Sequence, residues 1–207
     1  PDSLGLLYEE LTEHLGFRRS ADEYKVMALA SYGEPEFLPA LRQLVFATGD
    51  GGFTGRSIDW SAFAPAVRDE DRGDFTPAQV NLATSLQHRL QEVLVDLAYW
   101  LHDRTGDTDL VMAGGVALNC VANSWLLEHG PFERVWVQPA AGDAGTALGA
   151  ALHVARGLGD TVRPMRTAAL GREWSDGALE SWLRTAAVPF ERPADIAKAV
   201  AEVLAEN

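Results

Sequence analysis

The sequence contains very little cysteine. Cys120 is its single cysteine, so an internal disulfide and a cysteine-based metal cage are both excluded. No apolar run is long enough to span a membrane, and no secretory signal segment appears. Basic residues are also few, because 17 Lys and Arg stand against 30 Asp and Glu, for a formal net charge of −13. Since nucleic acid and anionic lipid are negatively charged and repel such a chain, we expect neither as a partner. Because the sequence shows neither a signal segment nor a membrane span, we predict a cytoplasmic protein.

The composition is that of a folded chain with a real core. Hydrophobic residues make up 47% of the 207 positions, which is enough for one large domain with an appendage. A linker-like stretch of glycine and polar residues follows Gly157. We therefore predict a first domain over residues 1–158 and a second part over residues 159–207.

A first small-residue loop lies between a predicted strand and a predicted helix. Residues 110–113 form a short apolar run typical of a buried strand, and residues 116–127 have helical spacing. Gly114 and Gly115 stand between them, where the absence of a Cβ lets a ligand approach the backbone. Asn119, one turn into this helix, could reach the same ligand. The alternative is an ordinary tight turn with a solvated Asn119.

A second loop repeats the arrangement. Residues 134–137 are typical of a strand, residues 138–145 are small and polar, and a helix then runs through Ala155. Asp143 lies in this loop among residues too small to cover it. Two interpretations of Asp143 stay open, a helix N-cap and a ligand for a hard cation. In open α/β folds, ligands bind at the carboxyl ends of the strands, in the loops that lead into the following helices. Both loops are therefore candidate parts of a binding site.

The rest of the chain is predominantly helical by pattern. Cys120 falls on the apolar face of the helix after Gly115, so we expect it to pack in the core. The other predicted elements are helices over 3–15 and 24–30, a hairpin around 44–54, an irregular segment over 57–76, a long helix from Thr76 to about His102, a helix over 175–187, a short strand over 188–192 and a closing helix over 193–206. Ser3 is a candidate N-cap of the first helix, and Thr76 is the predicted N-cap of the long helix.

The two loops carry motifs that resemble a known family. The motifs GGVALNCVAN and QPAAGDAGTALGAAL, together with SLGLLYEELTEHLGF and DEYKVMALASYGEP, resemble the O-carbamoyltransferases of antibiotic biosynthesis and nodulation-factor decoration. The resemblance covers most of residues 3–206. It implies an α/β fold, namely the second lobe of an actin/Hsp70-like (ribonuclease H-like) ATPase fold in three layers. It also implies that residues 159–207 begin a C-terminal α/β carbamoyltransferase domain.

The resemblance assigns roles to individual residues. Gly114, Gly115 and Asn119 match the segment that contacts adenosine in the family, and Asp143 matches the aspartate that completes its metal site. Related tRNA-modifying enzymes hold the ribose with an acidic residue on the first helix, and Glu9 falls near that place.

Two further residues match a stretch that the resemblance places near the nucleotide. Glu23 and Lys25 stand in the family's EYK segment. The alternative for Lys25 is a solvated helix lysine.

The sequence also departs from the family. The metal site of the family needs two histidines spaced H-x-x-x-H, and the five histidines here are scattered without that spacing. The phosphate-binding hairpin that opens such a fold is missing too. We therefore expect an excised piece, inactive alone, that works with an N-terminal lobe and a C-terminal domain of the same protein.

The reaction implied by the resemblance has two steps. Carbamoyl phosphate and ATP give a carbamoyl adenylate, and a hydroxyl of a small-molecule acceptor then takes the carbamoyl group with the help of a divalent metal, for which the family suggests Fe(II). A metal suits this chemistry because a carbamate carbonyl is a poor electrophile. Two alternatives stay open: an adenine-nucleotide-binding module without chemistry, and a piece of a tRNA threonylcarbamoyladenosine-type enzyme.

Overall fold

The chain folds into two separate units of mixed α/β structure. The structure is a computed structural model that describes residues 3–55, 57–68, 74–165 and 167–206. Unit 1 covers residues 1–162 and unit 2 covers residues 163–207. The α/β class predicted from the sequence is confirmed. Each helix in the described ranges is too short or too polar to cross a lipid bilayer.

Unit 1 begins with three helices and a hairpin. Helix α1 (Leu4–His14) is capped by Ser3, whose Oγ accepts from the Leu6 amide, as the sequence predicted. The elements that follow are α2 (Glu23–Leu29), α3 (Leu38–Leu44), and the strands β1 (Val45–Ala47) and β2 (Phe53–Gly55), which pair antiparallel.

Helix α4 (Pro77–Thr105) is the centre of unit 1. Thr76 and Gln79 form a capping box at its start, with Pro77 in the first turn, and Gly106 ends it in the left-handed conformation. It packs against α1, α2, α3 and β1 around one large apolar cluster, within which Leu11, Leu41, Leu82 and Val93 have no exposed surface. The helix ends at Thr105, about one turn beyond the predicted end near His102.

The segment over 57–76 is only partly described, since residues 69–73 lie outside the described ranges. Its first part forms a single 3₁₀ turn, Trp60–Ala62, that places Trp60 in the core. The prediction of an irregular segment is confirmed for residues 57–68.

The second half of unit 1 is a strand–helix–strand–helix series. Strands β3 (Asp109–Met112) and β4 (Arg134–Val137) pair in parallel, with Val111 opposite Trp136. Helix α5 (Cys120–His129) connects them, and helix α6 (Ala144–Gly157) follows β4.

Unit 2 contains two capped helices. Ser175 caps α7 (Asp176–Thr185), and Asp195 caps α8 (Ile196–Ala205) through the Lys198 amide. The strand predicted over 188–192 is wrong, because the described backbone there is irregular and pairs with no other strand. The apolar residues Val188 and Phe190 beside Pro189 do not form a strand, because no other described strand pairs with them.

Two further predictions about α5 are wrong. The single helix predicted over 116–127 is split into a 3₁₀ turn, Gly115–Leu118, and α5, because Asn119 adopts an extended conformation between them. Asn119 is thus the N-cap of α5, with its Oδ1 accepting from the Ala122 amide. Cys120 is the first residue of α5 and is exposed, so it does not pack in the core.

Candidate functional site

Unit 1 contains an open cleft of about 560 Å³ between α1, the segment that leads into α2, and the two loops that follow β3 and β4. Five of the seven residues proposed from the sequence line this cleft. They come from four separate segments of the chain and are Glu9, Glu23, Gly115, Asn119 and Asp143.

One wall of the cleft carries two carboxylates that share a serine. Ser20 Oγ donates to Glu9 Oε2 at 3.1 Å, and the Ser20 amide donates to Glu23 Oε1 at 2.7 Å. Arg19 Nε also donates to Glu9 Oε2, at 3.2 Å. Ser20 has a φ of 58°, which is uncommon outside glycine, so the turn is held in this conformation by its contacts with the two acids.

The floor of the cleft is a small polar network. Tyr8 Oη donates to Gln87 Oε1 at 2.9 Å, and Asn119 Nδ2 donates to the same oxygen at 2.9 Å. Gln87 Nε2 donates in return to Asn119 Oδ1 at 3.2 Å. Burial, with a further contribution from the charge of Glu23, raises the pKa of Tyr8, so its hydroxyl keeps its proton. The alternative in which Asn119 is merely solvated is therefore wrong.

Gly114 and Gly115 lie in the loop after β3, and of the two only Gly115 lines the cleft. Gly114 has a φ of 108°, a conformation that favours glycine, and its amide donates to Ala141 O at 2.8 Å. This bond joins the loop after β3 to the loop after β4. Gly115 lines the cleft, and a Cβ added to it would meet no protein atom within 4 Å. A side chain at position 115 would therefore take space from a ligand.

Asp143 lines the cleft and is exposed. It occupies the N-cap position of α6, yet its side chain makes no capping hydrogen bond, because its backbone is already helical (φ −56°, ψ −34°). The capping interpretation is therefore wrong. In the described part of the chain, the Asp143 carboxylate has no hydrogen-bond or ion-pair partner, so both oxygens are available.

A carboxylate of this kind suits a hard cation, but one ligand does not make a site. Within the ranges that the structure describes, no three His, Cys, Asp or Glu side chains lie close enough together to hold a metal ion. The chain therefore offers Asp143 as a single ligand, and a complete coordination shell needs further groups.

Two residues proposed from the sequence lie away from the cleft. The structure places Lys25 in a separate, smaller depression of about 230 Å³, where its Nζ pairs with Asp22 Oδ1 at 3.0 Å and lies over the ring of Phe17. The hydrogen bond with Asp22 raises the pKa of Lys25. Gly114 is not among the lining residues and acts through the conformation it gives the loop.

The sequence pattern does not point to three residues of the site: Tyr8 and Ser20, which line the cleft, and Gln87, which is buried beneath it. Tyr8 lies in the apolar stripe of α1 and looked like core. Gln87 carried a detectable signal, because it stands in the apolar stripe of α4, four residues after Ala83 and three before Leu90. A buried glutamine at such a place needs partners, and partners imply a polar network.

Comparison with known proteins identifies the family to which this site belongs. The family model for the carbamoyltransferase N-terminus matches residues 1–152. The chain belongs to the carbamoyltransferase family. All five cleft residues proposed from the sequence fall inside the matched range, so the cleft is a feature of the part of the chain that the family shares.

Several known proteins are similar in sequence to most of this chain. An uncharacterized protein of Synechocystis sp. is 37% identical over 91% of this chain and 34% of its own length. The nodulation protein NolNO of Sinorhizobium fredii is 37% identical over 100% of this chain and 31% of its own length. The 3'-hydroxymethylcephem-O-carbamoyltransferase of Amycolatopsis lactamdurans is 30% identical over 66% of the chain and 26% of its own length. The chain thus spans about a third of the length of the first two.

Proposed function

We propose that this chain is part of an ATP-dependent O-carbamoyltransferase, and that its cleft binds the adenosine portion of the nucleotide. The whole enzyme would transfer a carbamoyl group from carbamoyl phosphate, through a carbamoyl adenylate, to a hydroxyl of a small molecule. The observation that carries this proposal is the convergence of Glu9, Glu23, Gly115, Asn119 and Asp143 on one cleft in a carbamoyltransferase family member.

The chemistry of the cleft favours a nucleoside over a free phosphate. Its described lining residues include three carboxylates, of Glu9, Glu23 and Asp143, and neither lysine nor arginine. Carboxylates accept hydrogen bonds from sugar hydroxyls but repel phosphate oxygens. The open backbone at Gly115 leaves room for a flat base. We therefore assign Glu9 to the ribose, and Gly115 and Asn119 to the base side.

Asp143 is the residue that we assign to a metal. Its unpaired, exposed carboxylate fits a divalent cation such as Fe²⁺, with the other ligands coming from other parts of the enzyme. When bound, such a cation polarises the carbamoyl carbonyl and balances the charge of the phosphate. Asp143 itself would supply one carboxylate ligand to such a cation.

The finer architecture belongs to the same proposal. We propose that unit 1 corresponds to the second lobe of an actin-like ATPase domain, since β3, α5, β4 and α6 alternate strand and helix with both loops at the cleft. We propose further that residues 159–207 begin the C-terminal carbamoyltransferase domain.

The proposed reaction can be tested with the full-length protein. We would incubate it with ATP, carbamoyl phosphate and Fe(II), add a mixture of polyol acceptors, and follow carbamoyl adenylate and carbamylated products by mass spectrometry. We expect both species. In the Asp143→Asn variant we expect product formation to fall on the order of 100-fold or more, because a neutral amide is a weak metal ligand.

A matched control separates loss of the metal ligand from loss of one negative charge. Asp160 is an exposed acid outside the cleft, and we expect Asp160→Asn to carbamylate acceptors at the wild-type rate. Nucleotide binding with neither adenylate nor product would reject the transferase and support a binding module. An Asp143→Asn variant with normal transfer would remove Asp143 from the proposed mechanism.

The nucleotide site has its own test in Gly115. We expect Gly115→Ala to weaken ATP binding by the full-length protein about tenfold, since the new methyl group would occupy the open edge of the cleft. Gly149→Ala in α6 is the matched control, because a Cβ there also meets no protein atom but lies away from the cleft. Equal affinity in both variants, measured by isothermal titration calorimetry, would contradict the assignment of Gly115.

A further inference from the structure

Gln87 is buried beneath the cleft and bonds two residues that line it. Only 3% of its surface is exposed, and it is not itself a lining residue. Its side-chain oxygen accepts from Tyr8 of α1 and from Asn119 before α5, and its nitrogen donates to Asn119. Gln87 therefore connects three segments of the chain directly under the proposed nucleotide position.

The orientation of the Asn119 amide follows from one backbone group. The Ala122 amide lies 2.9 Å from Asn119 Oδ1, and a backbone N–H can only donate, so the atom facing it must be the oxygen. Asn119 Nδ2 then faces Gln87 Oε1 and donates to it. Because Gln87 Oε1 can only accept, the Tyr8 hydroxyl must donate its proton there.

This arrangement saturates the Asn119 oxygen. It receives one N–H from Ala122 and a second from Gln87, and an amide oxygen has two lone pairs. Asn119 Nδ2 carries two N–H groups, and one of them donates to Gln87 Oε1, so toward a ligand in the cleft Asn119 can act only through the other N–H, as a donor. The ligand atom that meets it must be an acceptor, such as a ring nitrogen or a sugar oxygen.

We propose that Gln87 is a positioning residue for nucleotide binding, and that it acts by fixing Asn119 as a hydrogen-bond donor toward the cleft. This inference rests on the proposed function, because it assumes that the cleft binds a nucleotide. A purely structural glutamine would change the stability of the protein without changing the hydrogen-bonding polarity of the cleft.

The Gln87→Glu variant tests this inference through pH. A protonated glutamic acid can replace glutamine, since its O–H donates to Asn119 Oδ1 and its carbonyl oxygen accepts from Tyr8 and Asn119. An ionised glutamate only accepts, so it faces Asn119 Oδ1 with a second acceptor and drives the amide out of position. Burial favours the protonated form of such a carboxyl, and rising pH favours the ionised form.

We would measure the Kd for ATP of the full-length wild type and of Gln87→Glu from about pH 5.5 to about pH 8.5. We expect similar Kd values at the acid end and a variant at least about tenfold weaker at the alkaline end. The titratable groups that face Gln87 and its partners are Tyr8 on α1 and Glu23 on α2, and His88 is its neighbour on α4. All three are present in both proteins, so the ratio of the two Kd values isolates residue 87.

Two more variants complete the experiment. Gln91→Glu places the same charge at another buried glutamine of α4 that is not a lining residue, and we expect its Kd ratio to wild type to be flat with pH. Gln87→Leu cannot form the network in any protonation state, so we expect weaker binding at every pH. A flat ratio for a folded Gln87→Glu would overturn the inference while leaving the proposed function standing. Absence of ATP binding by the wild type would overturn both.

Discussion

The two halves of unit 1 differ in how completely their apolar side chains are covered. Around α4, helices α1 to α3 and the β1–β2 hairpin enclose one large cluster. In the half that contains β3, β4 and α6, the buried cluster formed by the described residues comprises Ala98, Leu126 and Phe132, and α6 buries none of its described residues. Val111 and Trp136, opposite each other on the parallel strands, are 67% and 50% exposed.

This difference separates the roles of the two halves. The enclosed half supplies a rigid support through α1 and α4, on which Tyr8, Glu9 and Gln87 are held. The open half supplies the two loops that carry Gly115 and Asp143. Parallel sheets are ordinarily covered on both faces, so an exposed apolar pair on β3 and β4 is unusual. Substitutions should therefore affect the stability of the two halves very unequally.

The largest difference is expected for leucine truncation. Leu11 is fully buried in the enclosed half, so Leu11→Ala should destabilise it by about 3 kcal/mol. Leu152 on α6 is 40% exposed, and Leu152→Ala should change stability by less than about 0.5 kcal/mol. Hydrogen exchange of peptides from α1, α4 and α6 in the full-length protein measures both. Equal effects would remove the distinction between the halves.

Loss of a helix cap should have a smaller and more local effect. Thr76→Ala removes one half of the capping box of α4 and should cost about 1 kcal/mol. Because the rest of α4 is packed, we expect faster exchange only in its first turns. Ser175→Ala removes the N-cap of α7, and none of the residues of α7 is buried. Because packing does not hold this helix in place, we expect faster exchange along its whole length. Fraying confined to one turn in both helices would contradict the argument.

Acid should weaken the contact between α3 and α4. Arg42, and after it Arg89, hold the pKa of the Glu92 carboxyl below its ordinary value of 4.5. The stabilisation is complete above about pH 4.5 and is lost as the pH falls through the lowered pKa. Glu92→Gln should lose about 0.5 kcal/mol near neutral pH, and the gap to wild type should close in acid. Glu128→Gln, at an exposed acid of α5, should show no such gap at any pH.

The smallest effect is expected on the open half. The Arg134 guanidinium bonds the Asp109 carboxylate across β3 and β4 and lowers its pKa, but both groups are exposed. Arg134→Gln should leave the exchange rates of β3 and β4 unchanged at physiological ionic strength, since water and salt screen such a pair. A clear increase in exchange would show that this half depends on its surface charges more than its exposure implies.

Local patterns in the sequence predicted most of the secondary structure. The Ser3 and Thr76 caps, the β1–β2 hairpin and both parallel strands are confirmed, because each depends on residues close together in the chain. The strand over 188–192 failed because a strand also requires a partner, and no other strand of the described chain pairs with it.

The candidate site was predictable only in part. Motif resemblance selected Glu9, Glu23, Gly115, Asn119 and Asp143, and the structure brings them together in one cleft. The sequence did not reveal what holds them. The pair formed by Gln87 and Asn119 spans 32 positions, and the bond between Tyr8 and Gln87 spans 79, so neither leaves a local pattern.

The hydrogen bond from the Gly114 amide to Ala141 O links the loop after β3 directly to the loop after β4. A displacement of the loop that carries Gly115 would pull on the loop that carries Asp143. Under the proposed function, binding of the base against Gly115 and the placement of the Asp143 carboxylate would therefore be coupled through this one backbone bond.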